Sequence, residues 1–204
     1  MLEHASDVDN NEVLSVANLV VTSGDAVGVT VNADDTLTVD PSAYNDLAEG
    51  ESEIIVYQYD VVDNAGDVVT QTATITIEGA NDAPTVSQDV VVTATEDDAA
   101  FAVDLLAGAT DVDAGAILSV DSLVLTSGDG AGVVINGNTI EIDPNAYNHL
   151  AVGESEVLTY EYSVVDEHGA SVVQTATITI TGENDGPVVS DNIVSIRVEE
   201  DTPI

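Results

Sequence analysis

The chain repeats itself, and that fact constrains its fold more than any other. ASDVDNNEVLSV at 5–16 returns as ATDVDAGAILSV at 109–120, VDPSAYNDLAEGESE at 39–53 as IDPNAYNHLAVGESE at 142–156, and TQTATITIEGANDAP at 70–84 as VQTATITITGENDGP at 173–187. A period of about 100 residues is the size of one domain, so two copies of one fold are expected in a row. The offset falls from 104 (Asp7 to Asp111) to 103 (Asp40 to Asp143) where VNADDTLTVD is matched by INGNTIEID, which reads as a hairpin turn shortened by one residue. The division expected is a first copy over 1–82 without its opening strand, a complete copy over 83–186, and an opening strand over 187–204 beginning PVVSDNIVSIRVEED. The first copy therefore either closes without that strand or accepts one from another molecule's tail, because an open sheet edge invites strand addition.

The hydrophobic pattern has the period of a strand almost throughout. Leu158, Tyr160, Tyr162 and Val164 alternate with polar residues, Asp166 to Gly169 turns the chain, and Ala176, Ile178 and Ile180 alternate with threonines. That spells a long hairpin with one apolar face, and Ile55 to Ile77 repeats it around the turn at Asp63 to Gly66. Shorter strands are expected at 90–95, 101–105, 117–125, 133–135 and 140–142, with a loop after Asp143 that holds one helical turn opened by Pro144. About seven strands per copy, each half-buried, predict an all-β protein. The expected form is tandem Ig-like β-sandwiches with Greek-key connections, a closed barrel being the second choice.

Composition excludes several functions. Asp and Glu number 39 against one basic side chain, Arg197, for a formal net charge of −38. Such a surface repels nucleic acid and anionic membranes, and internal ion pairing is nearly impossible. Cysteine is absent, so disulfides, thiol catalysis and cysteine-based zinc sites are absent too. No stretch reaches membrane-spanning length and no signal peptide is evident, so no membrane insertion is expected. An extracellular domain without disulfides needs another staple.

The acidic residues supply a candidate, because they cluster where loops are expected and the clusters recur. Asp7 and Asp9 match Asp111 and Asp113; Asn81 and Asp82 match Asn184 and Asp185; Glu96, Asp97 and Asp98 match Glu199, Glu200 and Asp201; Asp63 matches Asp166. Calcium takes about six to eight oxygens at roughly 2.3–2.6 Å and tolerates irregular geometry, which D-x-D and Asn-Asp-x-Pro segments can provide. The competing reading is that these are ordinary solvated turns. A halophilic surface screened by salt alone is a third.

Taken together, GANDAPTVSQDVVVTATED, ATDVDAGAILSV, NTIEIDPNAYNHLAVGES, YEYSVVDEHGA and QTATITITGENDGP resemble the VCBS-type, cadherin-like repeats of large bacterial RTX adhesins. The resemblance spans essentially the whole chain and is most specific in the phrase TATITITGxNDxP. It implies an Ig-like, calcium-binding extender on the bacterial cell surface, exported by type I secretion and used in attachment or biofilm formation. It implies Ca2+ ligands at Asn81, Asp82, Glu96, Asp98, Asp111 and Asp113 between the two copies. Asn184, Asp185, Glu199 and Asp201 would serve the next junction, and Asp7 and Asp9 a preceding one. The turns VVDNAG and VVDEHG depart from the family's common VTDGNG, which leaves Asp63 and Asp166 outside the expected ligand set.

Other functions find less support in the residues. His168 sits beside Asp166, but its counterpart turn has Asn64 and Ala65, so a solvated turn histidine is expected and no enzyme. His149, replaced by Asp46 in the first copy, reads the same way. The alternative function is a carbohydrate- or protein-binding Ig-like module. Its aromatic platform would have to be Tyr44 and Tyr147, since Tyr57, Tyr59, Tyr160 and Tyr162 alternate into the hairpin core.

Overall fold

The computed structural model describes residues 1–9, 13–190 and 200. Its regular elements, apart from two single 3-10 turns, are strands. The second copy shows the complete arrangement. Strands β7 (Val90–Thr95), β10 (Ser119–Ser127), β13 (Ser155–Val165) and β14 (Ser171–Thr181) form one sheet in the order β10-β13-β14-β7. Strands β8 (Phe101–Asp104), β11 (Val133–Asn136) and β12 (Thr139–Ile142) form a second sheet in the order β11-β12-β8. The chain switches between sheets after β7, β8, β10 and β12, so neighbours in sequence are often not neighbours in a sheet. Pairing is antiparallel except between β7 and β14, which run parallel from Val90 opposite Ala176 to Thr95 opposite Thr181. A small ladder, β6 (Thr85–Val86) with β9 (Ala109–Thr110), was not foreseen, since two residues carry no periodicity.

The alternation in the sequence is the alternation in burial. Leu158, Tyr160, Tyr162 and Val164 on β13 and Ala176, Ile178 and Ile180 on β14 meet Val103, Leu105, Ile140 and Ile142 from the facing sheet in one core. Such packing of two inner faces is what makes a sandwich. The tyrosine hydroxyls find acceptors at the core's margin: Tyr162 donates to the Leu105 carbonyl at 2.6 Å, and Tyr147 is held between the Asp129 and Ala131 carbonyls at 2.7 and 2.6 Å.

The first copy repeats the large hairpin. Strands β1 (Ser15–Ser23), β4 (Ser52–Val62) and β5 (Val68–Glu78) pair in the order β1-β4-β5, and β2 (Val29–Val31) pairs with β3 (Leu37–Val39). Both copies interrupt the ladder to the hairpin twice, between Val21 and Ser23 and between Leu125 and Ser127, and earlier between Ala17 and Val20 and between Asp121 and Val124. Asn18 and Ser122 take φ of 52° and 55° at the earlier breaks. Both also hold the 3-10 turn, Pro41–Tyr44 and Pro144–Tyr147, where Asp40 and Asp143 accept from the backbone two residues on and proline opens the turn. Among the described residues nothing pairs with β5 on the side where β7 lies on β14, and the first core is smaller, centred on Tyr44, Ile55 and Tyr57.

Candidate metal centre

The Asp-x-Asp segment folds the same way in both copies. The Asp113 N–H donates to Asp111 Oδ1 at 3.0 Å, and the Asp9 N–H to Asp7 Oδ1 at 2.9 Å, so the first aspartate closes a turn around the second. What differs is cover. Asp7 and Asp9 are exposed, whereas Asp113 is 7% exposed because the segment joining the copies lies over it: the Asp82 N–H donates to Asp113 Oδ2 at 2.9 Å. One residue earlier, Asn81 Nδ2 donates to Asp166 Oδ2 at 3.0 Å. Two consecutive linker residues thus gather two carboxylates from distant parts of the second copy.

Asp166, one of the recurring acidic residues but outside the ligand set that the resemblance implies, is a further functional candidate. It is 5% exposed, and its other oxygen accepts from the His168 and Ala170 N–H groups at 2.9 Å each. The Asn81 amide, with those backbone donors, holds its carboxyl below the usual carboxylate range. Its first-copy counterpart, Asp63, makes the same turn, accepting from Gly66 and Asp67 at 2.7 and 2.8 Å, with no linker beside it. The signal available in sequence was only that both turns begin with aspartate.

Glu96 and Asp98 correct the expectation that both belong between the two copies. Glu96 follows β7, which runs parallel to β14, so it arrives at the end of β14: its N–H donates to the Thr181 carbonyl at 3.0 Å and its Oε1 accepts from the Glu183 N–H at 2.8 Å. Asp166 precedes the start of β14, and an eleven-residue strand separates the two ends by about 35 Å. Glu96 therefore stands with Asn184 and Asp185 at the opposite pole. Asp98 is exposed and closes a turn, accepting from the Thr95 N–H at 2.8 Å. Asn184 Nδ2 donates to the Asp185 carbonyl at 3.2 Å as Asn81 Nδ2 does to that of Asp82 at 3.0 Å, so the Asn-Asp element is built alike at both poles. Glu199 and Asp201 lie outside the described residues.

The chemistry of the two poles is set by three oxygens. Glu96 Oε2, Asp111 Oδ2 and Asp113 Oδ1 are buried with no hydrogen-bond donor, and Glu96 is 0% exposed. An unpartnered buried carboxylate oxygen is costly, and a chain with one basic residue has almost nothing positive to place against it. A hard cation with oxygen ligands fits this donor set: carboxylates, an asparagine amide and main-chain carbonyls, with no nitrogen or sulfur. Among the described residues no three carboxylate or imidazole groups already converge to metal-holding distance, so the remaining ligands of such an ion would be amide, carbonyl and water oxygens.

Tyr44 and Tyr147 are 7% and 1% exposed with their hydroxyls turned onto backbone carbonyls, so they form no aromatic platform. His168 Nδ1 faces Glu49 Oε2 of the first copy at 3.3 Å.

A family model described as the cadherin-like domain matches residues 80–181, half of the chain. Among solved structures, a two-domain crystal structure of human mucin-like protocadherin (EC1-2) is similar with a TM-score of 0.52, 15% identity and 87% of each chain covered. The four-domain structure of protocadherin gamma B7 gives 0.44 at 18% identity, covering 88% of this chain and 48% of that one. Drosophila N-cadherin EC1-4 gives 0.41 at 14%, covering 87% and 43%. The chain thus spans under half the length of the last two. No curated protein matches it.

Proposed function

The chain belongs to the cadherin-like domain family, and from that premise we propose that it is a calcium-stiffened extender segment of a secreted bacterial surface adhesin. It reads as a structural module with no catalytic role: the histidine–carboxylate pair of His168 and Glu49 spans the junction between copies, and the matched fold is cadherin-like. The observation that carries the reading is the pair of orphaned oxygens on Asp111 and Asp113, covered by the linker and given no cation by the protein itself.

We place the division between copies at residue 82, with the second copy over 83–186 and a third beginning at 187. At the first junction Asp111 and Asp113, with Asn81, Asp82 and Asp166, would hold the ion; at the far pole Glu96, Asn184 and Asp185 would do so, joined by Asp98, while Glu199 and Asp201, the counterparts of Glu96 and Asp98, would serve the far pole of the third copy. Asp7 and Asp9 would meet a preceding copy. Calcium supplies positive charge and many oxygen bonds at once. The residues do the rest: Asn81 and Asp82 already draw the second copy's Asp166 and Asp113 against the linker, so neutralising those carboxylates locks an arrangement that their repulsion otherwise opposes. A row of such junctions is a rod, which suits an extracellular RTX-type protein of VCBS repeats, exported by type I secretion, that projects a binding region for attachment or biofilm formation. No helix among the described residues is long and apolar enough to cross a membrane.

The test is calcium titration at fixed high ionic strength. Saturable gain in melting temperature, with a change to an elongated scattering profile, is expected; salt alone producing both changes would end the reading in favour of halophilic screening. We also propose head-to-tail strand exchange, in which a second copy's 187–204 segment pairs with β5. A 650 Å³ opening lined by Val61, Val69 and Gln71, together with residues of the 1–7 segment, supports it, since Val164 and Gln174, the counterparts of Val61 and Gln71, are buried while Val61 and Gln71 are not. Sedimentation equilibrium showing a concentration-dependent dimer that truncation at 187 abolishes is the expected result, and a monomer throughout refutes it.

A further inference from the structure

The junction has a second contact, on which no metal ligand's side chain depends. The Ala114 N–H donates to the Asp46 carbonyl of the first copy at 2.9 Å, and Glu49 Oε2 stands 3.3 Å from His168 Nδ1. Both first-copy groups come from one loop, residues 45–50, and that loop is fixed to its own domain at several points. Leu47 is packed against the Tyr44, Ile55 and Tyr57 core and its N–H donates to the Tyr44 carbonyl at 3.1 Å. The Glu51 N–H donates to the Ala48 carbonyl at 3.0 Å while Glu51 Oε2 accepts from the Ala48 N–H at 3.3 Å. The loop also rests directly on Gly79: a Cβ there would lie 2.2 Å from the Ala48 carbonyl oxygen and 2.4 Å from that of Leu47. Only glycine permits that approach, and Gly79 is the last residue but one before the Asn81-Asp82 linker.

The receiving surface is equally fixed. Glu167, in the turn beside His168, accepts from the Ile117 N–H at 2.8 Å and ties the β13–β14 turn to the segment that carries Asp111 and Asp113. That segment is gripped on both sides, by the Asp82 N–H at the Asp113 carboxylate and by the Asp46 carbonyl at Ala114.

The same platform recurs at the far pole. Leu150 donates to the Tyr147 carbonyl at 3.0 Å, Glu154 and Ala151 exchange bonds of 2.8 and 2.9 Å, and a Cβ on Gly182 would lie 2.4 Å from the Ala151 carbonyl oxygen. Its tip differs: Val152, 67% exposed, takes the place of Glu49. The scaffold is common to both copies, and two side chains on it change: Glu49 to Val152, and Asp46, which offers only its carbonyl, to His149.

We infer that this loop is a docking latch: it seats the Asp-x-Asp segment of the following copy through a backbone hydrogen bond and orients the junction before any cation binds. Asp46, Glu49 and His168 are positioning residues, acting on the carboxylates through the segment they hold. The inference stands on the direct contacts and is separable from the calcium reading.

The absence of cysteine allows spin labels at Thr74→Cys and Val134→Cys, both exposed and one in each copy. The interspin distance distribution is then measured in chelator and across a calcium titration. With the native junction a single narrow distribution is expected in chelator. Ala114→Pro removes the donor, and the loss of one backbone hydrogen bond should depopulate the seated arrangement roughly fivefold, broadening the distribution in chelator. Because a binding-competent state made rarer lowers apparent affinity in proportion, the calcium midpoint should rise by about the same fivefold. Saturating calcium should restore the narrow peak. Glu49→Gln with His168→Gln, which leaves the loop backbone untouched, should shift both readouts in the same direction by less. A native distribution in chelator as broad as that of Ala114→Pro, or midpoints unchanged in both variants, overturns the latch. Calcium narrowing neither protein, while the two still differ in chelator, upholds the latch and refutes the metal reading.

Discussion

Glu96 shows how far one residue's role depends on what is near it. Its carboxylate is fully enclosed, one oxygen satisfied by the Glu183 N–H and the other by nothing. In chelator the uncompensated charge is a cost, so Glu96→Gln should stabilise the calcium-free protein by about 1 kcal/mol. The same substitution should shrink the gain in melting temperature that saturating calcium brings; thermal unfolding in chelator and in calcium reads both signs in one experiment. Loss of stability in both conditions would show the glutamate to be a plain structural acceptor. Tyr147 and Tyr162 set the alkaline limit. Burial pushes both phenols up to about 12 from an ordinary value of 10.0. A group raised in the folded state contributes fully below its unfolded value and loses that contribution as pH climbs towards its folded one. Stability should therefore fall between pH 10 and 12, with phenolate absorbance appearing together with unfolding; Tyr147→Phe and Tyr162→Phe should each flatten that fall.

The hairpins β4–β5 and β13–β14 are nearly the same element in sequence but not in energetics. Ile178 is 0% exposed beneath the facing sheet, while Ile75, its counterpart, is only partly buried on a strand whose outer edge is unpaired among the described residues. Truncation should cost about 3–4 kcal/mol for Ile178→Ala and about 1–2 kcal/mol for Ile75→Ala, read from chemical denaturation in calcium. Equal costs would mean that the first hairpin is covered in solution. The strand register was plain from alternation and the turns from Asp and Gly, so both hairpins, the β11–β12 hairpin and the proline-opened 3-10 turn stand where the residues put them. The β6–β9 ladder and the breaks at Asn18 and Ser122 were not legible, because a two-residue pairing has no period and a single residue with φ of 52° or 55° leaves no mark on side-chain alternation.

For the whole molecule the dominant fact is a charge of −38 spread along a chain with Arg197 as its one basic side chain. Repulsion of that size opposes any compact contact between copies, yet the linker's Asn81 amide and Asp82 N–H hold the carboxylates of Asp166 and Asp113 against it. Replacing both Asp111 and Asp113 by Asn should loosen the junction in calcium, seen as a broader scattering profile, and shrink the calcium-dependent gain in melting temperature while each sandwich stays folded, since neither core includes these residues. Full calcium occupancy and unaltered interdomain orientation in that variant would remove these two residues from the ligand set. By itself the sequence determined the two-copy layout, the strand-rich sandwich and the acidic clusters, because repeat spacing, side-chain alternation and composition are properties of neighbours along the chain. Only the tertiary structure decided which carboxylates meet. The parallel run of β7 along β14 carried Glu96 to the far pole, and the linker drew Asp166 in; both follow from strand pairing between distant segments, which no local pattern encodes.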